Sequence, residues 1–300
     1  MKALLISIAL CIALASHAQQ ESQYTQNQFN SNLQINPAYA GAIQSPSLSM
    51  RYRNQWVGLN GAPSTFALNG ETRVNKRNLA TGISIIRDEI GILQSTSIDL
   101  SLAVHIRLTE KGNLSVGLKG GAYFLNSDFS KLQHVDLSDP LYAVNKRTVP
   151  YVGLGMLYYN GKMYAGFSVP RLISFEQQSV QNQVNEPHYY LYGGYRITLN
   201  DDIELRPALL GKYEASGPVE MDLALEAWYK STFAMGLSYR TSDAINLMIK
   251  ARVKQLYLGY SYDMTITRLR TYNTGSHEVF IGFQFGKKGN PNTTPNNRYF

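Results

Sequence analysis

The side chains able to do chemistry are few and scattered. Of the five histidines, His17 follows an apolar N-terminal run, and His105, His134, His188 and His277 stand far apart. None shares metal-ligand spacing with another His, Asp or Glu, so no metal is expected. Cys11 is the only cysteine, and one thiol makes neither a disulfide nor a cysteine metal site. Serines and acids are plentiful, yet no local signature joins a nucleophile to a base and an orienting acid. Gly117, Gly120 and Gly121 do not form a phosphate loop; glycines in strands make room for neighbouring side chains or for bends. The expectation is a protein without cofactor and without catalysis.

The charges say more. Asp99, Arg107, Lys119, Glu204, Arg206, Lys212, Glu220, Asp222, Glu226, Lys250, Arg252, Asp263 and Glu278 all fall on the polar side of alternating segments. Both signs are present in similar number. An ion-selective pore tends toward rings of one sign, whereas mixed charge inside a closed wall favours paired networks, so a plugged or narrow lumen is expected. The formal charge of +7 becomes +6 once Lys2 is removed with the leader described below. These cations are dispersed rather than gathered on one face, which argues against nucleic acid and allows some affinity for anionic lipid head groups.

One stretch, residues 51–65 (RYRNQWVGLNGAPST), combines types favoured at binding surfaces. Arg51 and Arg53 share the face of Ser49, and Gln55-Trp56 leads into a glycine- and proline-rich link ending at Pro63. Arg and Trp are over-represented among binding hot spots. Arg53, Gln55 and Trp56 are therefore candidate partner-binding residues. The competing reading has Trp56 at a lipid boundary and the arginines paired with lumen acids.

The element that must position such residues is clearest at Leu93–Leu108. From Thr96 to Leu108 every second residue is apolar or nearly so, and the residues between are small or polar. Period-two alternation is a β-strand with one greasy and one wet face. Its length exceeds the roughly 9–11 residues a tilted strand needs to cross a bilayer. About fourteen such segments are predicted, at 47–54, 64–73, 80–88, 93–108, 113–125, 150–158, 162–169, 188–199, 202–213, 218–229, 232–241, 244–253, 255–264 and 277–285. Pro207, unable to donate to a ladder, predicts a bulge. The 21 tyrosines suit interfacial girdles, with Tyr158-Tyr159 and Tyr189-Tyr190 the best candidates.

Link lengths supply an independent check. With the N-terminus in the periplasm, the odd links include every long one, 125–149, 170–187 and 264–276. The even links are short: 75–78, 110–112, 160–161, 200–201, 230–231 and 254. Short periplasmic turns, longer outer loops and an even strand number are the pattern of an outer-membrane barrel. The predicted class is all-β, a single antiparallel transmembrane barrel of about 14 strands. Lys2, the apolar run Ala3–Ala15 and Ser16-His17-Ala18 predict a secretory signal over 1–18. A periplasmic or lumen segment at 19–46, the barrel at 47–285 and a polar tail at 286–300 complete the expected organisation.

Several motifs carry a resemblance. Asn36-Pro37-Ala38-Tyr39-Ala40-Gly41, Arg53, Gln55-Trp56, Gly61-Ala62-Pro63 and Thr65 come first, followed by Asp88 with Gly91, Asp139-Pro140, His188-Tyr189-Tyr190 and Arg206-Pro207. Tyr239-Arg240, Ser261-Tyr262-Asp263 and Gly275-Ser276-His277-Glu278 close the series. Together they resemble the PorP/SprF family of the type IX secretion system of Bacteroidetes, across essentially the whole mature chain. The resemblance implies a non-enzymatic outer-membrane barrel serving secretion and gliding. Its implied partners are periplasmic ring or peptidoglycan-binding components, or a large secreted surface adhesin with a C-terminal sorting domain. On this reading Asn36, Pro37, Tyr39, Gly41, Asp139 and Pro140 join the candidate partner-binding residues. The alternative expectation is a porin or lipid-type solute transporter.

Overall fold

The computed structural model describes residues 33–43, 45–74, 78–110, 112–128, 145–175, 187–214, 217 and 219–285. The predicted signal, the polar tail, His134, Asp139, Pro140 and most of the two longest links lie outside the described residues.

Among the described residues, alternation produces fifteen strands. They are β1 (Ser47–Asn54), β2 (Ser64–Val74), β3 (Leu79–Ile90), β4 (Leu93–Arg107) and β5 (Asn113–Ser127). Next come β6 (Asn145–Tyr159), β7 (Met163–Ser174), β8 (Tyr189–Tyr195), β9 (Ile197–Thr198) and β10 (Ile203–Tyr213). The last are β11 (Glu220–Tyr229), β12 (Phe233–Arg240), β13 (Ala244–Val253), β14 (Leu256–Thr265) and β15 (Ser276–Gln284). β8 and β9 both pair with β10, so they are two pieces of one stave and the wall has fourteen staves. Each stave pairs antiparallel with its chain neighbour, and β1 pairs with β15 while β10 pairs with β11. The sheet has no free edge, which removes the usual hazard of an open ladder.

The register separates two faces. In the β4–β5 hairpin Leu102 opposes Leu118 on the outer face, and Ser101 opposes Lys119 on the inner face. Leu118 is 65% exposed and Lys119 3% exposed, so the outside is the apolar surface. A bilayer would cover that surface, and the hydrophobic effect holds the wall there. No helix among the described residues is long and apolar enough to cross a membrane.

Three expectations are corrected. First, β6 begins at Asn145 rather than at 150, because Asn145 to Val149 pair with Ser127 to Tyr123. Second, Pro207 makes no bulge. It stays in register with Leu225 on β11, and on the other side Ala208–Gly194 and Leu205–Ile197 keep one register across a gap. Proline removes a donor without adding a residue, so it breaks the ladder without shifting it. The register shift lies instead between Val152 and Leu154 of β6, where a Cβ on Gly153 would collide with the backbone of Pro170. Third, the tyrosine pairs do not sit together at the lipid boundary. Tyr159 and Tyr190 are fully buried inside while Tyr189 is exposed outside, because neighbouring strand residues point to opposite faces.

Residues 33–43 fill the interior. All are buried, and they include a short 3-10 turn over Pro37–Tyr39. Leu33 and Ala40 pack against Ala80 and Ala103. Ile35, Ala38, Tyr39 and Ala42 pack against Leu157, Tyr159, Tyr164, Tyr190 and Tyr192. Ile43 joins Trp228, Ala234, Met248, Tyr257 and Phe280 on the opposite wall. The segment therefore spans the lumen before the chain enters β1, and the barrel's apolar core is built around it.

Candidate functional site

Two features occupy the inside of the barrel: this inner segment and a network of paired charges near the end that carries the longer links. The segment is organised by Asn36, which is extended before Pro37, the first residue of the 3-10 turn. Its Oδ1 accepts from Ala38 N at 2.8 Å and caps the 3-10 turn. Its Nδ2 donates to Tyr192 Oη at 2.6 Å and to the Met156 carbonyl at 2.9 Å, reaching β8 and β6. Gly41 ends the turn with φ of 67°, a conformation glycine adopts at no steric cost. Its N–H donates to Glu71 Oε2 at 3.1 Å, and its carbonyl accepts from Arg73 Nε at 2.8 Å.

Arg73 also starts a relay. Its guanidinium donates to Tyr159 Oη at 3.1 Å, and Tyr159 lies 2.9 Å from His105 Nδ1. His105 Nε2 is 2.8 Å from the Ala40 carbonyl. A carbonyl only accepts, so Nε2 carries the proton and Nδ1 accepts from Tyr159. Arg73, Tyr159 and His105 thus hold the successive carbonyls of Ala40 and Gly41. His105, on the inward face of β4, serves the inner segment.

The wall makes room for that segment with glycine. A Cβ on Gly117 would collide with the backbone at Pro37 and Ala38, and one on Gly155 with the Asn36 side chain. Lys119 Nζ donates to the Gln34 carbonyl and pairs with Asp99 at 3.3 Å. Tyr151 donates to the same carboxylate.

The second feature gathers residues far apart in sequence. Arg53 pairs with Asp263 at 2.7 Å and with Glu278 at 3.6 Å, while Arg51 reaches Glu278 at 3.8 Å. Arg240 lies 3.5 Å from Asp263, 3.4 Å from Asp222 and 2.9 Å from Asp243. Asn246 donates to Asp263. A separate set lies toward the short-turn end, where Lys250 pairs with Glu226 at 2.5 Å and Trp228 Nε1 donates to Glu226 at 3.0 Å. Arg206 lies over the Trp228 ring at 4.7 Å and pairs with Glu204 at 2.7 Å. At the longer-link end His188 pairs with Glu214, and Lys212 lies 3.8 Å from Glu214. Buried charges are tolerated when paired, and every Lys and Arg named here has a carboxylate within 3.8 Å. Among the described residues no group of three His, Cys, Asp or Glu side chains is placed to hold a metal.

The candidate partner-binding residues separate accordingly. Asn36, Pro37, Tyr39 and Gly41 are buried in the lumen and contact the wall. Arg53 and Gln55 are also buried, with Arg53 in the charge network. Trp56 is half-buried at the start of the β1–β2 link, with φ of 48°. Its N–H donates to Ser276 Oγ at 3.1 Å. Asp139 and Pro140 lie outside the described residues. Glu71, Arg73 and Tyr192 are part of the site and were not singled out from the sequence, and Tyr159, expected at a girdle, belongs to it as well. The readable signal was the set of small residues on one inward face, Ala80, Gly82, Ala103, Gly117 and Gly155, wanting an occupant.

Comparison with known proteins adds the family. The family described as type IX secretion system membrane protein PorP/SprF matches residues 16–283. No curated protein matches the chain. Among solved structures, the CymD monoaromatic hydrocarbon channel is similar at a TM-score of 0.52 and 12% identity, covering 87% of this chain and 94% of that one. The outer membrane protein Omp33 of Acinetobacter baumannii gives a TM-score of 0.49 at 8% identity, covering 82% of this chain and 100% of that one. A Pseudomonas aeruginosa FadL homologue gives 0.45 at 11%, covering 84% and 93%. At such identities the likeness to CymD shows a shared barrel fold and nothing of its cargo. The family match spans the inner segment and nearly every strand, and the chain is a member of the type IX secretion system membrane protein PorP/SprF family.

Proposed function

We propose that this outer-membrane barrel is a non-catalytic docking component of the type IX secretion and gliding machinery. It assists export of a large secreted adhesin with a C-terminal sorting domain and retains it at the cell surface. The end with the longer links faces outward, and the short turns face the periplasm, where ring or peptidoglycan-binding components meet it. The observation that supports this reading is the filled lumen. Residues 33–43 are all buried within the barrel, and the wall charges around them are paired. A barrel whose interior is occupied by its own chain offers partners its two ends.

The test is affinity purification from gently solubilised outer membranes, with mass spectrometry of the proteins retained. Co-purification of a very large secreted protein supports adhesin retention, and ring or linker proteins alone support a core machine role. Deletion of 129–144, between Ser127 and Asn145, should then leave a folded barrel and release the adhesin into the medium. A barrel that purifies alone and passes small solutes into liposomes would replace this reading with a transporter.

A further inference from the structure

The link between β14 and β15, residues 266–275, is an ordered platform. Thr267 caps a 3-10 turn over Arg268–Thr271 by accepting from Leu269 N at 3.4 Å. Asn273 Oδ1 accepts from Gly275 N at 2.8 Å and from Thr265 Oγ1 at 3.1 Å. The neighbouring β1–β2 link is tied on by Thr274 N to the Val57 carbonyl at 2.9 Å and by Val57 N to the Gly275 carbonyl at 2.8 Å. Neither link, 55–63 or 266–275, contains an Asp or Glu. Arg268 and Arg270 are exposed, and among the described residues no carboxylate lies within ion-pair distance of either guanidinium. Every other arginine discussed above has a partner; these two face solvent on a rigid base, with Tyr272 70% exposed beside them.

Their height on the wall identifies what they meet. On the outer face of the β14–β15 pair, Leu258 opposes Ile281, then Tyr260 opposes Val279, then Tyr262 opposes His277, and the link follows. Tyr260 Oη lies 2.7 Å from His277 Nδ1, and Tyr262 Oη donates to the Thr274 carbonyl at 2.7 Å. Apolar residues, then an aromatic row with polar tips, then guanidinium is the order of acyl chain, interface and head group across half a bilayer. Guanidinium matches phosphate oxygens in a bidentate fork, and an exposed aromatic ring suits a sugar face.

We propose that Arg268 and Arg270, with Tyr272, form a recognition site for the phosphate groups of an outer-leaflet glycolipid. The assignment of leaflet rests on the orientation stated under Proposed function. Lipid held there would fix the depth and tilt of the β14–β15 corner, which carries Asp263 and Glu278 on its inner face.

The test is native mass spectrometry of the full barrel in detergent, offered equal amounts of phosphorylated and dephosphorylated lipid A. Wild type should retain the phosphorylated form with a preference of roughly tenfold, the scale of one good charge-assisted contact. Arg268→Ala with Arg270→Ala should abolish that preference, while Arg268→Lys with Arg270→Lys should keep part of it, with heat-modified gel migration confirming a folded barrel in each. Equal retention of both lipids by wild type, or a preference that survives the double alanine change, overturns the proposal. A preference lost instead in Lys230→Ala with Lys254→Ala, at the short-turn end, reverses the orientation and overturns it too. Unchanged lipid retention with loss of a secreted protein from the cell surface would assign the link to protein docking and reject the lipid site.

Discussion

Arg53 and Asp263 lie 210 positions apart in sequence and meet at 2.7 Å inside the barrel, both almost fully buried. The pair links β1 to β14 across β15, at the place where the sheet closes. Asp263 also accepts from Asn246 and faces Arg240, so its loss removes one carboxylate from each of two buried cations and leaves Arg53 with Glu278 alone, at 3.6 Å. Removing one partner of a buried pair costs about 3–5 kcal/mol. Asp263→Ala should lower unfolding stability by about that much, measured by urea unfolding in vesicles. A change below about 0.5 kcal/mol, the range of ordinary surface substitutions, would mean that the network is not structural.

Gly117 and Gly120 form a matched pair on one strand. A Cβ at Gly117 would strike the backbone of Pro37 and Ala38, while one at Gly120 meets nothing within 4 Å. Gly117→Val should displace the inner segment and expose it to protease in detergent. Gly120→Val, which adds apolar surface on the lipid side, should leave the cleavage pattern unchanged. Equal patterns in the two variants would contradict the packing described.

Removal of residues 33–43 should open the lumen. The segment supplies the inner partners for Ala80, Ala103, Leu157 and Tyr192, and water would take its place. The expected result is stepwise conductance in planar bilayers for the deletion variant and none for wild type. Conductance of equal size in both would show that ions pass the segment.

Arg73→Met should loosen the same segment without emptying the lumen. It deletes two donated bonds, to Gly41 O and Tyr159 Oη, each worth about 1–3 kcal/mol when a buried partner is left unsatisfied. Faster amide exchange at Gly41, which Glu71 also holds, is the readout. Arg73→Lys should fall between the two. Unchanged exchange would place the anchoring elsewhere.

The wall was legible because its physics is local. Leu93–Arg107 alternates strictly, and side chains alternate faces whatever the strand pairs with. The charges predicted to point inward do so in nearly every case; Arg107, at the end of β4, is exposed and bonds to the carbonyls of Thr109 and Glu110. Strand ends were less legible. The β5–β6 hairpin runs past 150 because Asn145–Val149 gains a full ladder from β5, an energy that belongs to neither segment alone.

What the sequence determined by itself was therefore the fold class, the inward and outward faces, the alternation of short and long links, and the family. Partner identity inside the lumen was decided only by closure. Which acid faces Arg53, and which wall receives Asn36, depend on the register of strands separated by a hundred residues or more. A period of two tells every residue which side it faces and nothing about which residue it faces there. The closed sheet supplies that second coordinate, and with it turns the turn-rich segment 33–43 into the buried core of the barrel.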